Sequence, residues 1–167
     1  MSHSAKNRTY LAIIAVLLIV IAATSYKFIV AGSTAKSPDG RVAIVLEPGE
    51  RDLTLREMRD FLAGVQTMAD RLAHGDMHAV AAAARGMGMA RTHDVPTAMM
   101  GKLPLGFKSM ALGVHQQFDT IAADAAVGGD SRHTHMQLSD VLRQCVACHA
   151  AYRVAIRAGS TAAPAHD

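Results

Sequence analysis

The sequence contains no tryptophan and few other aromatic residues, with four phenylalanines and three tyrosines among 167 residues. It is instead half apolar and rich in alanine and methionine. This composition favours packed helices over a β-sandwich, whose strands prefer aromatic and β-branched side chains. We therefore predict an all-α fold, and the length allows one domain besides any terminal segment.

No acidic residue occurs before Asp39, and Lys6, Arg8 and Lys27 are the charged residues before Lys36. Subtracting these three from the 17 Lys and Arg residues leaves 14, which equals the 14 Asp and Glu residues of the chain. The high isoelectric point therefore belongs to the N-terminus. The balanced remainder predicts no nucleic-acid binding.

The run over residues 9–26 has no charged residue and is mostly apolar. As a helix it would rise about 27 Å, close to the thickness of a membrane's hydrocarbon core. Positive charge before it predicts a cytoplasmic N-terminus over 1–8, a transmembrane anchor over 9–31 and an exported remainder. The alternative is a signal peptide cleaved near residues 33–35 (Ser-Thr-Ala). We predict a single-pass protein of a bacterial inner membrane with its domain on the periplasmic side.

The chain has only two cysteines, Cys145 and Cys148, and His149 follows them directly. A Cys-x-x-Cys-His run is the attachment site of a c-type haem, in which both thiols form thioethers and the histidine binds the iron. Residues three and four apart share one face of a helix, so all three side chains can reach one side of the macrocycle. A zinc site would need a second Cys/His pair, and a thioredoxin-like pair a βαβ pattern; the sequence has neither. We predict one covalent haem c, with its iron bound to His149.

Residues 32–50 are rich in Gly, Pro and Ser and predict a linker, with one apolar run over 42–46 in extended conformation. Apolar residues at helical spacing then predict four helices. These helices cover about 51–73, 76–91, 104–126 and 131–158. They predict an antiparallel four-helix bundle over residues 51–159 and a tail over 160–167.

The first of these helices has apolar residues in alternating steps of three and four, which form one core stripe. The stripe consists of Leu55, Met58, Leu62, Val65, Ala69 and Leu72. Thr54 and Glu57 would form a capping box at the start of the helix.

The haem motif continues as Cys145-Val-Ala-Cys148-His149-Ala-Ala-Tyr152-Arg153 in the last predicted helix. It resembles the Cys-x-x-Cys-His-x-x-Tyr-Arg signature of class II c-type cytochromes, the cytochrome c-prime family, whose members are four-helix bundles. The resemblance covers residues 51–159 but not the N-terminal span. It implies that Arg153 contacts a haem propionate or the haem pocket, that the first bundle helix supplies the distal side, and that a homodimer can form. Tyr152, one turn beyond Cys148, is expected at the haem edge.

No methionine follows Met136, so a methionine ligand must come from upstream of the motif. Met58 lies about 10 Å from the predicted start of its helix, and His149 about 13 Å from the end of the last one. Antiparallel helices bring these positions to one level, which makes Met58 the predicted distal ligand. The alternative is an open site with Leu55 or Leu62 as its distal wall. The remaining methionine candidates are Met87, Met89, Met99, Met100 and Met110.

These features predict a membrane-tethered electron carrier, because methionine ligation closes the iron site and raises its reduction potential. Its partners would be membrane or periplasmic redox proteins, to which the anchor keeps it close. The alternative is a five-coordinate haem protein that binds nitric oxide or carbon monoxide. Peroxidase activity is not expected, because the sequence suggests no distal His/Arg pair. His115, in the third helix, is predicted to be an ordinary core or surface histidine.

Overall fold

A computed structural model describes residues 3–157, with side chains from residue 7 onward. Most of this part is helical, which confirms the predicted fold class. The elements are α1 (His3–Ser25), β1 (Thr34–Lys36), β2 (Val42–Leu46), α2 (Pro48–Ala73), α3 (Met77–Arg85), α4 (Thr97–Met100), α5 (Leu105–Ala126), α6 (Ser131–Ala151) and β3 (Tyr152–Ile156). A π-helical segment, Tyr26–Ala31, extends α1, and a 3₁₀ helix, Met89–Asp94, precedes α4. The predicted tail over 160–167 lies outside the described residues.

The α1 helix and its π-helical extension form one continuous apolar helix. Within the 25 residues from Asn7 to Ala31, the most apolar stretch of 18 residues has a mean hydropathy of 2.5, and the domain buries none of that stretch. By length and composition this helix can cross a membrane. It coincides with the anchor predicted over residues 9–31.

The segment 32–50 is not the linker that its composition predicts. It carries β1, β2 and the start of α2. β1 pairs antiparallel with β2, and β2 pairs parallel with β3 in a three-stranded sheet. Ile44 and Leu46 are buried, with exposed fractions of 0% and 1%. The run 42–46 is extended as predicted, but long-range pairing makes it part of the core.

The last helix ends at Ala151 and not at the predicted residue 158, because the chain continues as β3. Tyr152 has the dihedral angles φ −126° and ψ 153° of extended backbone. Aromatic and β-branched residues favour strands, and Tyr152, Val154 and Ile156 alternate along this one. The motif therefore lies in the last two turns of α6 and not in the middle of a longer helix.

The α2 helix begins earlier than predicted, at Pro48. Glu47 and Glu50 form the capping box, in which the side chain of each residue accepts a hydrogen bond from the backbone N–H of the other. Thr54 lies well inside the helix and donates to the Glu50 carbonyl at 2.9 Å. The capping box predicted from Thr54 and Glu57 is therefore wrong, because the helix has already formed there.

The buried face of α2 coincides with the predicted stripe only in part: Val65 and Leu72 pack against the core as predicted. Two predicted members, Leu62 and Ala69, are exposed, Leu62 by 70%. Phe61 and Met68 pack inward instead, and Met68 is completely buried. Both series repeat in steps of three and four, so the spacing fits either one. The helices that α2 contacts, α3 and α6, decide between them.

The α2, α3, α5 and α6 helices surround one hydrophobic core. Its fully buried side chains include Phe118, Met68, Ile121, Val80 and Val141. The second predicted helix starts where expected but ends at Arg85, and residues 86–104 form short helical turns. The sheet, α4 and the start of α5 enclose a second cluster beside the end of α6.

Replacing Ile44 with alanine should lower the free energy of unfolding by about 2–5 kcal/mol, because it removes a buried side chain and leaves a cavity. Val127→Ala is the control, since Val127 is 85% exposed. It should change stability by less than about 0.5 kcal/mol. Urea unfolding of the detergent-solubilised full chain, followed by circular dichroism, measures both. An Ile44→Ala chain as stable as the native chain would show that β2 lies outside the core.

Candidate functional site

The Cys-x-x-Cys-His motif occupies the C-terminal end of α6. Cys145 and Cys148 are free thiols and partly buried, whereas His149 is exposed. Cys145 packs against the main core, which orients this face of the helix. Among the residues that the structure describes, no side chain bonds the His149 imidazole. Both thiols and the imidazole are therefore free to bind another group.

Burial raises the pKa of both thiols above the ordinary value, and the neighbouring Cys145 adds to the effect at Cys148. Both cysteines are therefore neutral thiols at pH 7. Within residues 3–157 no group of three or more His, Cys, Asp or Glu side chains could hold a bare metal ion. A porphyrin needs fewer protein ligands, since haem iron is held by one or two axial side chains.

One flank of α6 faces α5. Gln137 donates a hydrogen bond to Asp124 of α5 at 2.6 Å. Directly before the motif, Oε1 of Gln144 would lie 3.4 Å from a Cβ added at Gly113 of α5. This flank of α6 is therefore polar and packs against α5.

The opposite flank of α6 carries Leu142, Val146 and His149, at steps of four and three residues. All three are exposed, Leu142 by 43% and Val146 by 70%. Because α6 contacts α2 as well as α5, this flank faces the α2 side.

The α2 helix likewise has one flank that packs against a neighbouring helix and one flank that is apolar. Asp60 accepts a hydrogen bond from Arg91 at 2.9 Å, and a Cβ added at Gly64 would overlap Met87. These contacts turn one flank of α2 toward α3 and the 3₁₀ helix that follows it. The opposite flank, toward α6, is apolar and carries Met58 between two leucines.

We infer from helix spacing that these two flanks border one surface groove between α2 and α6, and we call it the α2–α6 groove. Its walls are Leu55, Met58 and Leu62 on α2, and Leu142, Val146 and His149 on α6. Exposed apolar side chains gathered in one place indicate a binding surface. A haem is a flat apolar group that would cover them, and the motif that would attach it lies along the same groove. The residues present therefore fit a haem.

The two hydrophobic clusters contact α2 and the motif end of the chain in antiparallel order. On α2, Leu53 packs against the cluster that contains Tyr152, and Phe61 packs against the core that Cys145 touches. The order of these contacts along α2 is opposite to their order along α6 and β3. Met58 lies between Leu53 and Phe61, as the second half of the motif lies between Cys145 and Tyr152. Met58 is partly buried there.

Tyr152 and Arg153 have other partners. The Tyr152 ring packs edge-on against Phe107 of α5, with ring centroids 5.5 Å apart. Arg153 donates from Nη1 to Oγ of Ser37 at 3.0 Å, beyond the β1 strand. Their roles at the haem edge and at a propionate remain predictions.

His115 is a core histidine, in agreement with the sequence. It is 8% exposed, and its Nδ1 donates to the Met87 carbonyl at 2.8 Å. Its ring packs beside Phe61, with centroids 5.2 Å apart. These contacts leave it on the α3 side of α2, away from the α2–α6 groove.

Arg41 contacts the motif, although no pattern in the sequence singles this residue out. Its Nη1 donates to the carbonyl of His149 at 3.3 Å, across a separation of 108 residues. Asp39 holds the guanidinium through bonds of 2.6 and 2.9 Å, and Arg41 holds the pKa of Asp39 well below its usual range. A cation at the C-terminal end of a helix is stabilising. Arg41 was overlooked because it lies in the segment predicted as a linker.

No protein-family model, curated protein or solved structure matched this chain. The residues of the site and their geometry therefore carry the functional inference.

In the haem-free chain, alkylation of the two cysteines should have its midpoint at a higher pH than alkylation of a cysteine peptide. The thiolate is the form that reacts, and burial raises both pKa values. Since the folded chain then holds these protons more tightly than the unfolded chain, stability should fall as the pH rises above the unfolded thiol pKa. Iodoacetamide labelling across pH, followed by mass spectrometry, measures the midpoint, with the urea-unfolded chain as the control. A folded midpoint equal to or below the unfolded one contradicts the burial.

Proposed function

We propose that this chain is a membrane-tethered c-type cytochrome that carries electrons through one covalently bound haem. The observation that carries the proposal is the Cys-x-x-Cys-His motif at the end of α6, with two free thiols and an exposed His149 beside the exposed apolar side chains of Leu142 and Val146. The resemblance of residues 145–153 to the class II cytochrome signature supports the same conclusion.

In this proposal, Cys145 and Cys148 hold the macrocycle through two thioethers, and His149 and Met58 hold the iron. The haem would supply a reversible one-electron change at its iron. Covalent attachment keeps it on the protein in both oxidation states.

The apolar walls of the groove would keep water from the faces of the macrocycle. Leu55 and Leu62 flank Met58 on α2, and Leu142 and Val146 precede His149 on α6. An apolar shell lowers the local dielectric constant and so affects the reduction potential. A site closed by rigid helices also changes little in geometry when an electron arrives, which favours electron transfer over ligand binding.

Methionine as the sixth ligand is what favours an electron carrier over a gas binder. The thioether of Met58 would then hold the iron and exclude nitric oxide or carbon monoxide, and Met/His ligation would raise the reduction potential. Met58 is the methionine of α2 that lies on the groove flank. Met68 is completely buried in the main core.

The apolar N-terminal helix supports a membrane location for the carrier. In the proposed arrangement the helix is a retained anchor in a bacterial inner membrane, and the haem domain lies on the periplasmic side. Confinement to the membrane raises its effective concentration for redox proteins there.

Replacing both cysteines with serine should abolish covalent haem, because serine forms no thioether with a vinyl group. The chain is co-expressed with a c-type haem maturation system, and haem staining after a denaturing gel is the readout. Met58→Leu is the control, since it leaves both thioethers in place and should retain the stain. Absence of stain from the native chain would overturn the proposal.

Replacing Met58 with leucine should abolish the weak far-red absorption band that a methionine–iron bond gives in the oxidised protein. Leucine nearly preserves the side-chain volume but has no sulfur to bind iron, so the iron should become high-spin and bind nitric oxide readily. Met68→Leu is the matched control and should keep the band. A native protein that is already high-spin would favour gas binding, and a band that survives in Met58→Leu would remove Met58 from the site.

A further inference from the structure

The C-terminal end of the membrane helix packs directly against the domain at Gly101 and Lys108, and we call this contact the seat. The Phe28 ring lies so close to Gly101 that a Cβ added there would come within 2.9 Å of it. Lys108, in the first turns of α5, donates to the carbonyls of Phe28 and Ile29 at 3.0 and 3.3 Å. The last turn of the membrane helix is therefore in contact with the start of α5.

Within the seat, the two backbone segments approach each other most closely at Gly32. Its φ of +65° is favourable only for glycine, and a Cβ there would lie 2.5 Å from the Lys102 carbonyl oxygen and 2.6 Å from the Pro104 nitrogen. The next residue, Ser33, donates its N–H to the same Lys102 carbonyl at 2.7 Å. Any side chain at position 32 would force the two segments apart.

An ion pair and backbone hydrogen bonds connect the seat to the rest of the domain. Lys102 donates from Nζ to both carboxylate oxygens of Glu50 at 2.7 Å, and Glu50 belongs to the capping box of α2. Ser33 accepts a bond from the Val45 N–H at 2.8 Å through its carbonyl. Only Gly32 and Ser33 separate the membrane helix from β1, and both are bonded, so no free tether is left between them.

The haem motif lies at the same end of the domain as the seat. Phe107, in the first turn of α5, packs against Tyr152. Tyr152 donates its N–H to the carbonyl of Cys148. The opposite end, where α5 turns into α6, carries the exposed Val127.

We infer that α1 and the domain form one rigid body that holds the motif end of the α2–α6 groove toward the membrane surface. For the proposed electron carrier, on which this part of the inference rests, the redox partner is then a protein embedded in the same bilayer. It meets the haem by lateral movement in the membrane. A water-soluble carrier approaching from the bulk would first meet the end that carries Val127.

The rigid seat is tested by pulsed electron–electron distance measurement on the full chain in lipid nanodiscs. Spin labels are attached through a noncanonical amino acid at positions 26 and 127, so that both native cysteines stay untouched. The native chain should give a narrow distance distribution, and Gly32→Ala a broad or shifted one. Gly40→Ala is the matched control, because Gly40 also has a positive φ, +85°, but open space around it. A broad distribution in the native chain, or an unchanged one in Gly32→Ala, overturns the rigid seat.

The orientation is tested with a nickel-chelating lipid in the same nanodiscs. Nickel relaxes nearby spin labels, so a label at Ala151 should relax several-fold faster than one at Val127. Equal rates, or the reverse order, overturn the membrane-facing placement. Neither measurement involves haem, so failure of the proposed function leaves both results interpretable.

The kind of partner is tested with haem-loaded chain in phospholipid vesicles and a water-soluble class I cytochrome c as electron acceptor. A variant with a long Gly-Ser insertion after Ala31 should reduce this acceptor at least several-fold faster than the native chain, because the insertion frees the haem end from the membrane. Equal rates overturn the membrane-embedded partner, while the label measurements still report on the seat.

Discussion

The rest of the structure depends on the parallel pairing of β2 with β3. Parallel strands need a long crossover, and here the crossover comprises all the helices from α2 to α6. The pairing ends α6 two residues after the Cys-x-x-Cys-His motif and buries Ile44 and Leu46 beneath the end of the bundle. Contact between these two segments continues beyond the sheet. The Arg157 N–H donates to the Leu46 carbonyl, and its Nε donates to the Glu47 carboxylate.

The two faces of α6 show how neighbouring helices define a site. The flank against α5 is polar and hydrogen-bonded, whereas the flank toward α2 leaves Leu142 and Val146 exposed beside His149. The burial of Cys145 in the main core orients the helix so that this contrast arises. An apolar flank that stays exposed next to a pair of free thiols suits a flat apolar group that binds covalently.

Much of the helical pattern was predictable, because helices follow local spacing. The third predicted helix, 104–126, differs from α5 by one residue. The errors concern features that distant residues decide. The spacing in α2 fits two stripes, and the positions of α3 and α6 select the one with Met68. Residues 152–156 fit a helix face or a strand, and the partner strand selects the strand. Arg41 carries no sequence signal because its contact with His149 spans the whole domain.

The sequence by itself determined the features whose chemistry is local. These are the apolar helix that can cross a membrane, the Cys-x-x-Cys-His spacing and the helical fold class. Only the tertiary structure decided where α6 ends, which residues of α2 are buried, and that Gly32 brings the apolar N-terminal helix into close backbone contact with the domain. The physical reason is that hydropathy and residue spacing act over a few turns. Strand pairing, groove formation and close backbone approach depend on segments that are far apart in the chain.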